Sequence, residues 1–466
     1  MSVLLFCLTA MLLVLEGTLF LRIAFPRYER LLCLVLGYPV AALFNVLLFF
    51  VMYAVGLRWN AEAIGMGHGL VMILLIGFWM IRLSWFDSAH HDNLSNRQRE
   101  KHVNPSPSYL RTGFVEGRHA FPWIIIGLCI LSLCATFFYA ATHALILPSY
   151  YIDTVSNWNL RSRAMLSAGT LLTEGVVKPQ YPILLHALQM LFMLPLERWN
   201  DTAANAATFL LSLSSFLALF LLVRRDHGAF IAFVMVTALV SVPLVTVHLG
   251  QGFGDIHLIQ YVLLSAFLLE RGIRLEDRAS IALSALLVIA SAWTKLEGFY
   301  EGIGFWLLLW IGSSLVLHRT IPWRILFLFL LALPWPLFVK FHHMLLSPHG
   351  RGFEFHVAAI PLALLYMGTE GSFGIAWYVL PFCLLILFTL RFLRILPRLP
   401  VPLLWGLLAL AFAFVIFFCT AEVQGLYNQE SFHRVLLVPL LLLIEGCVMG
   451  FVEVFMHVAH TTPPSS

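Results

Sequence analysis

"YPILLHALQMLFMLPL", residues Tyr181–Leu196, is the stretch on which the fold of this chain turns. As a helix it would be about 24 Å long at 1.5 Å per residue, against a hydrocarbon core of about 30 Å. It is apolar enough for a bilayer and too short to cross one. Whether it crosses decides the side on which every later loop emerges. A second stretch, "VAAIPLALLYM" (Val357–Met367), is shorter still and contains a proline. Both are read as interfacial or re-entrant segments.

Longer apolar runs surround them. Thirteen are long enough to span, near 3–22, 33–55, 64–82, 121–146, 203–222, 228–248, 256–270, 279–294, 300–317, 323–341, 372–390, 399–420 and 433–456. The 466 residues are 61% hydrophobic and only 11% charged, which a soluble domain cannot bury but a lipid-embedded bundle can present to acyl chains. The runs are continuous rather than alternating, so the expected class is an all-α polytopic membrane protein and not a β-barrel. The net charge of +4 gives no reason to expect a nucleic acid partner. The seven cysteines lie in or beside apolar runs without CxxC or zinc spacing and read as packing residues. The first run lacks a basic n-region and a small-residue cleavage site, and reads as a retained span.

The distribution of basic residues favours the non-crossing reading. With Tyr181–Leu196 kept out of the count of spans, nineteen of the 28 lysines and arginines fall on the inner side. If the run crossed, Arg224, Arg225 and the cluster from Arg271 to Arg278 would move outside. The N-terminus is then expected outside and the tail "HTTPPSS" inside. The long polar stretch from Leu83 to Ala120 becomes an inner loop, and its His90, His91 and Asp92, with no further spaced ligand, read as solvated. Three units follow: a three-span extension (1–83), a cytoplasmic loop (84–120) and a main body (121–466) whose outer loop covers 147–202.

This topology sends the polar segments to one face: the loop with Asp153, "GQGFGD" ending at Asp255, "TKLEG" with Lys295 and Glu297, and "TAEVQGLYNQESFHR" ending at Arg434. Each has a plain alternative. Asp153 could cap an interfacial helix, and Asp255 could cap the helix starting at Ile256. Lys295 could be a lysine snorkelling from a helix end. Trp158, Tyr151, Tyr181 and Trp199 suit an interfacial aromatic belt. Glu16 and Glu445, inside spans, read as satisfied interior groups.

Taken in order, these pieces resemble the integral-membrane glycosyltransferases of the GT-C superfamily, in the bacterial branch related to protein O-mannosyltransferases and aminoarabinose transferases. The resemblance rests on "YIDTVSNWNLRSRAML", "KPQYPILLHALQML", "GQGFGDIHLIQYVLLSAFLLERG", "SAWTKLEGFYEGIGFW" and, more weakly, "SFHRVLLVPLLLL", from about Phe121 to Leu442. It implies a GT-C-like bundle of about thirteen transmembrane helices with interfacial or re-entrant helices on the extracytoplasmic face. It also implies a polyprenyl-phosphate-linked sugar donor, transfer to an extracytoplasmic acceptor, and Asp153 as general base. Many relatives carry a second acid where this chain has Thr154.

The chemistry asks for a base near the acceptor hydroxyl and for positive charge at the departing phosphate. Lys295, Arg434 and Lys178 are the expected phosphate ligands. Asp255, Glu297, Trp158, Tyr181 and Arg161 are the expected substrate contacts, and Asp153 with Asp255 could hold a divalent cation, Mg or Mn. The lipid bilayer and a lipid-linked sugar are the expected partners, and the expected location is a bacterial inner membrane with the site facing outward. Two other readings stand beside this one: a transporter or flippase for a lipid-linked or amphiphilic solute, and a non-catalytic scaffold on the same fold.

Overall fold

A computed structural model describes residues 2–57, 59–89, 121–149, 151–171, 178–196, 198–318, 323–344, 353–369, 371–428 and 431–461. The regular structure of the described residues is all helical, and the one β element among them is an isolated bridge between Phe353 and Thr420. Among the described residues, ten helices are long and apolar enough to cross a membrane, or eleven if one sharply bent pair counts as a single span.

The chain begins with α1 (Ser2–Ala24), α2 (Arg30–Ala54) and α3 (Ala61–Ala89), followed by α4 (Phe121–Leu145). The inner loop expected over 84–120 lies outside the described residues from 90 onward, and up to Ala89 the chain is still helix. After α4 come a short helix α5 (Leu160–Ala168), α6 (Leu184–Met193) and the long α7 (Asp201–His227). The span expected near 228–248 is instead two helices, α8 (Ala229–Val240) and α9 (Pro243–Leu249), bent by 84°. Pro243 explains the break, because its ring and missing N–H end one helix and suit the first position of the next.

Next come α10 (Gly254–Leu275) and α11 (Arg278–Thr294), then α12 (Phe305–Val316) and α13 (Pro334–Phe341), the last entered through a 3₁₀ stretch, Trp323–Ala332. The chain closes with α14 (Ile360–Thr369), α15 (Ala376–Phe392), α16 (Val401–Cys419), the short α17 (Val423–Tyr427) and α18 (Phe432–Thr461). Two of the thirteen expected spans, α11 and α15, have only 17 residues, about 25 Å of helix. Their length alone does not carry them across.

The pairing of α10 with α11 shows how the shorter helix runs. Asp255 meets Lys295, Ser265 meets Ser284, and Gly272 lies against Ile281, an antiparallel register over the whole of α10. With its extension to Lys295, α11 therefore retraces the length of α10. That helix is the axis of the bundle, and the most apolar stretch of its span is buried at every residue. Among the first three helices, α2 belongs to the same core: Tyr38 donates to the carbonyl of Ala207 and Tyr261 donates to that of Pro39. By contrast α3 is peripheral, with Ile64 and His68 its only buried positions between Ala61 and Phe78.

The decisive stretch itself forms α6 and a 3₁₀ turn, Leu194–Leu196. Every residue of α6 is buried in protein. The helix packs against α2 and α7. The second short stretch, Val357–Met367, forms a 3₁₀ turn running into α14 and keeps several exposed apolar side chains.

Candidate functional site

Buried polar groups of α6 make the floor of the site. His186 Nδ1 and Gln189 Oε1 meet the hydroxyl of Ser162, and Gln189 donates to Asn159 at 3.0 Å. Asn159 and Asn205 both donate to Ser149, at 2.8 and 2.9 Å. The loop from Ser149 to Ser162 is thereby tied to α6 and α7. Thr154, where a second acid was expected from the resemblance, is buried and donates to the carbonyl of Gln251 at 2.9 Å, joining this loop to "GQGFGD". These hydrogen bonds satisfy most of the buried polar atoms of that floor, as a low-dielectric interior favours, while His186 Nε2 has no partner among the described residues.

"GQGFGD" reaches the site through two glycines. Gly252 has φ of +66°, the left-handed region that favours glycine. A Cβ on Gly254 would lie 2.2 Å from the Trp158 ring, so only glycine lets α10 begin against that indole. Trp158 is 1% exposed and stacks on His186 with 5.3 Å between ring centroids. It packs the start of α10 and is not open to a substrate.

On this floor the charged residues meet. Asp153 accepts from Asn157 and from the guanidinium of Arg434. Arg434 Nε lies 3.7 Å from Asp255, whose other oxygen accepts from Lys295 at 2.7 Å, and Lys295 pairs in turn with Glu297 at 3.0 Å. Five residues from four separate segments form one chain of alternating charge. Lys178 Nζ and Lys295 Nζ lie 5.2 and 5.8 Å from the Tyr181 ring, so both cations flank its π face.

Neither acid caps a helix. Asp153 precedes a π-helical turn, Thr154–Asn159, and makes no capping hydrogen bond; Asp255 lies in the first turn of α10, with Phe253 at the cap position. A second π-helical turn, Gly298–Gly304, follows Glu297. Such turns are uncommon and recur at functional sites. No sequence pattern singled them out.

Exposure reverses the order expected among the candidate phosphate ligands. The Lys295 and Asp255 side chains are 3% and 4% exposed, whereas Arg434 and Asp153 are 17% and 18% exposed. Burial works against the Lys295 charge, but Asp255 and Glu297 outweigh it and hold its pKa above the ordinary lysine value. Lys295 is thus a fixed cation behind the reachable pair. Lys178 makes no ion pair among the described residues; burial lowers its pKa, partly offset by Asp153. Burial also raises the Tyr181 hydroxyl well above its usual value.

Arg161, expected at the substrate, is buried and donates to the carbonyls of Lys178, Pro179 and Tyr181, at 3.4, 2.9 and 2.8 Å. Burial pushes its pKa down to about 9, which leaves it charged at neutral pH. Its role is to hold the turn that presents Lys178, a residue with φ of +54° and so in need of such support. Sequence reasoning could not find these partners, because backbone carbonyls carry no residue signature.

The two carboxylates expected as cation ligands are both engaged by Arg434. Among the described residues no group of three or more His, Cys, Asp or Glu side chains could hold a metal ion. This donor set does not fit a divalent cation. Of the late polar residues, Tyr427 is exposed, while Gln429 and Glu430 lie outside the described residues. Compared with protein families, curated proteins and solved structures, the chain matches none.

Proposed function

We propose that this chain is an inverting membrane glycosyltransferase of the GT-C type. In this reading it takes a sugar from a polyprenyl-phosphate donor and passes it to a glycan, lipid or protein acceptor on the extracytoplasmic face of a bacterial inner membrane. The observation that carries the reading is the Asp153–Arg434 pair, joined from positions 281 residues apart and left partly open above the buried Asp255–Lys295 pair. A reachable carboxylate beside reachable cations is what transfer from a phosphate-linked lipid requires.

In the reaction, the acceptor hydroxyl oxygen attacks the anomeric carbon while the bond from that carbon to the phosphate oxygen breaks. Asp153 takes the hydroxyl proton. The phosphate leaves with the bonding electron pair, and Arg434 and Lys178 hold its charge. Arg434 has five N–H donors, enough to keep a carboxylate and a phosphate together. Lys295 and Asp255 do not touch the reacting atoms; they fix Arg434 from behind.

Asp153→Asn tests this directly. It should abolish transfer, assayed with the purified protein and a panel of polyprenyl-phosphate sugars, and leave the melting temperature and donor binding near those of the parent. A variant that restores the lipid-linked sugar profile of a deletion strain as well as the parent does would end the assignment.

One observation favours the transporter reading, the 84° break between α8 and α9. Transporter sites use such breaks in pairs, in corresponding halves. Among the described residues there is one bent pair. Proteoliposomes that move a lipid-linked sugar across the bilayer without transferring it would favour that reading.

A further inference from the structure

Behind α5, on the side away from Arg161, lies a cavity of about 760 Å³. Its wall combines Trp59, from the connection between α2 and α3, with Arg163 and Ser167 of α5 and with Arg198, Trp199 and Asp201 at the entry to α7. Arg161 and Arg163 are two residues apart on one helix, about 200° around it, so one turns to the charged site and the other to the cavity. From Asp153 to Arg163 is ten residues along an almost continuous helical path, about 15 Å.

The chemistry of the wall is uneven in sign. Arg163 and Arg198, both exposed at the mouth of the cavity, make no ion pair or hydrogen bond with any described residue. The one acid, Asp201, already accepts from Trp199 at 2.6 Å and from Asn159 at 3.4 Å. Trp59 is 94% buried, and its indole N–H has no acceptor among the described residues. Two uncommitted guanidinium groups select a phosphate, which they can bind bidentately. Two indoles and a hydroxyl suit the apolar faces and hydroxyl edges of a sugar. The volume lies within the range of small-ligand sites.

We propose that this cavity binds a phosphate-bearing saccharide head group, with Arg163 and Arg198 on the phosphate and Trp59 and Trp199 against the sugar. Naming that ligand the acceptor of the reaction rests on the transferase reading; the binding site itself does not. It also places a residue of the three-span extension, Trp59, in the wall of a binding site.

The test uses the full chain in phosphatidylcholine nanodiscs, without donor, and follows tryptophan emission as glucose 6-phosphate is added. Saturable binding is expected, weakened at least about tenfold in Arg163→Ala/Arg198→Ala, from the loss of two charge-assisted hydrogen bonds. Glucose alone should bind more weakly than its phosphate. A second arm replaces a minor part of the lipid with phosphatidylinositol and asks by native mass spectrometry whether that lipid stays with the parent and leaves the double variant. A response in the first arm assigns the site to a soluble sugar phosphate, and one in the second alone assigns it to a lipid-borne one. Absence of both, or binding equal in parent and double variant, overturns the proposal. Trp59→Phe, which removes the indole N–H and the outer edge of the ring system, guards against a misfolded double variant: it should also weaken binding. Carrying Asp153→Asn through the same titration separates the two ideas, because binding should survive there whether or not transfer depends on Asp153.

Discussion

Gly254→Ala probes how the site is positioned without touching a charged group. The added methyl would lie 2.2 Å from Trp158 Cη2 and 2.4 Å from Cζ2, whereas ordinary contact begins near 3.4 Å. Something must move by more than 1 Å. The indole has little room, since it is stacked on His186, 1% exposed, and anchored through its carbonyl by Ser162 at 2.9 Å. The start of α10 must therefore give, and Asp255 is its next residue. Overpacking of this kind costs about 1–3 kcal/mol. Alanine's better helix propensity returns up to about 1 kcal/mol, so the net loss is of the order of 1 kcal/mol. A displacement near 1 Å at a reacting site can slow turnover about a hundredfold. The assay is thermal unfolding of the detergent-solubilised protein with transfer measured alongside. In a Trp158→Phe background, which removes the outer edge of the indole, the same substitution should be neutral or stabilising. If it destabilises both backgrounds equally, the contact between Gly254 and Trp158 is not what sets the position of Asp255.

Two further outcomes follow from the charges and the periphery. Lys178 has a lowered pKa and Lys295 a raised one, so as pH rises Lys178 loses its proton before Lys295 does. Donor binding should fall on the alkaline side for that reason, and Lys178→Arg, which stays protonated, should move the fall to higher pH; an unmoved profile rules Lys178 out as a phosphate ligand. At the far edge, His68 of α3 bonds Glu16 of α1 at 2.9 Å and Asn45 of α2 at 3.3 Å, all three buried. Replacing it with leucine should weaken the docking of α3 by about 1–2 kcal/mol, the upper range for hydrogen bonds between helices in lipid. Limited proteolysis reads this as faster cleavage next to α3, and an unchanged cleavage rate counts against the contact.

Much of the site was legible because polar residues at the mouths of apolar runs are expensive and therefore informative. Asp153, Asp255, Lys295, Glu297, Arg434, Lys178 and Tyr181 were all picked out from sequence, and the fold brings all seven together. What the sequence did not distinguish was depth. Lys295 and Arg434 look alike as cations beside a span, yet one is enclosed by two carboxylates and the other faces the opening. Arg161 and Trp158 were misread for the same reason, since their partners are backbone carbonyls and a bare glycine. The length of Tyr181–Leu196 marked it as too short for a full span, but a largely apolar surface suits lipid and protein equally. His186 and Gln189 inside that run were the available signal, because such groups seek a protein interior.

The antiparallel register of α10 and α11 bears on how the chain enters its bilayer. Asp255 and Lys295 are forty positions apart in the chain but occupy the same end of one hairpin. If the two helices leave the translocation machinery as a unit, acid and base arrive already neutralised, and neither is presented alone to hydrocarbon, where each would cost about 2.5–3.5 kcal/mol. Arg434 lies in α18, 281 positions after Asp153, so until that segment has been made Asp153 has only its local partner Asn157. The Asp153–Arg434 pair thus forms after the Asp255–Lys295 pair, whose two members are made earlier in the chain.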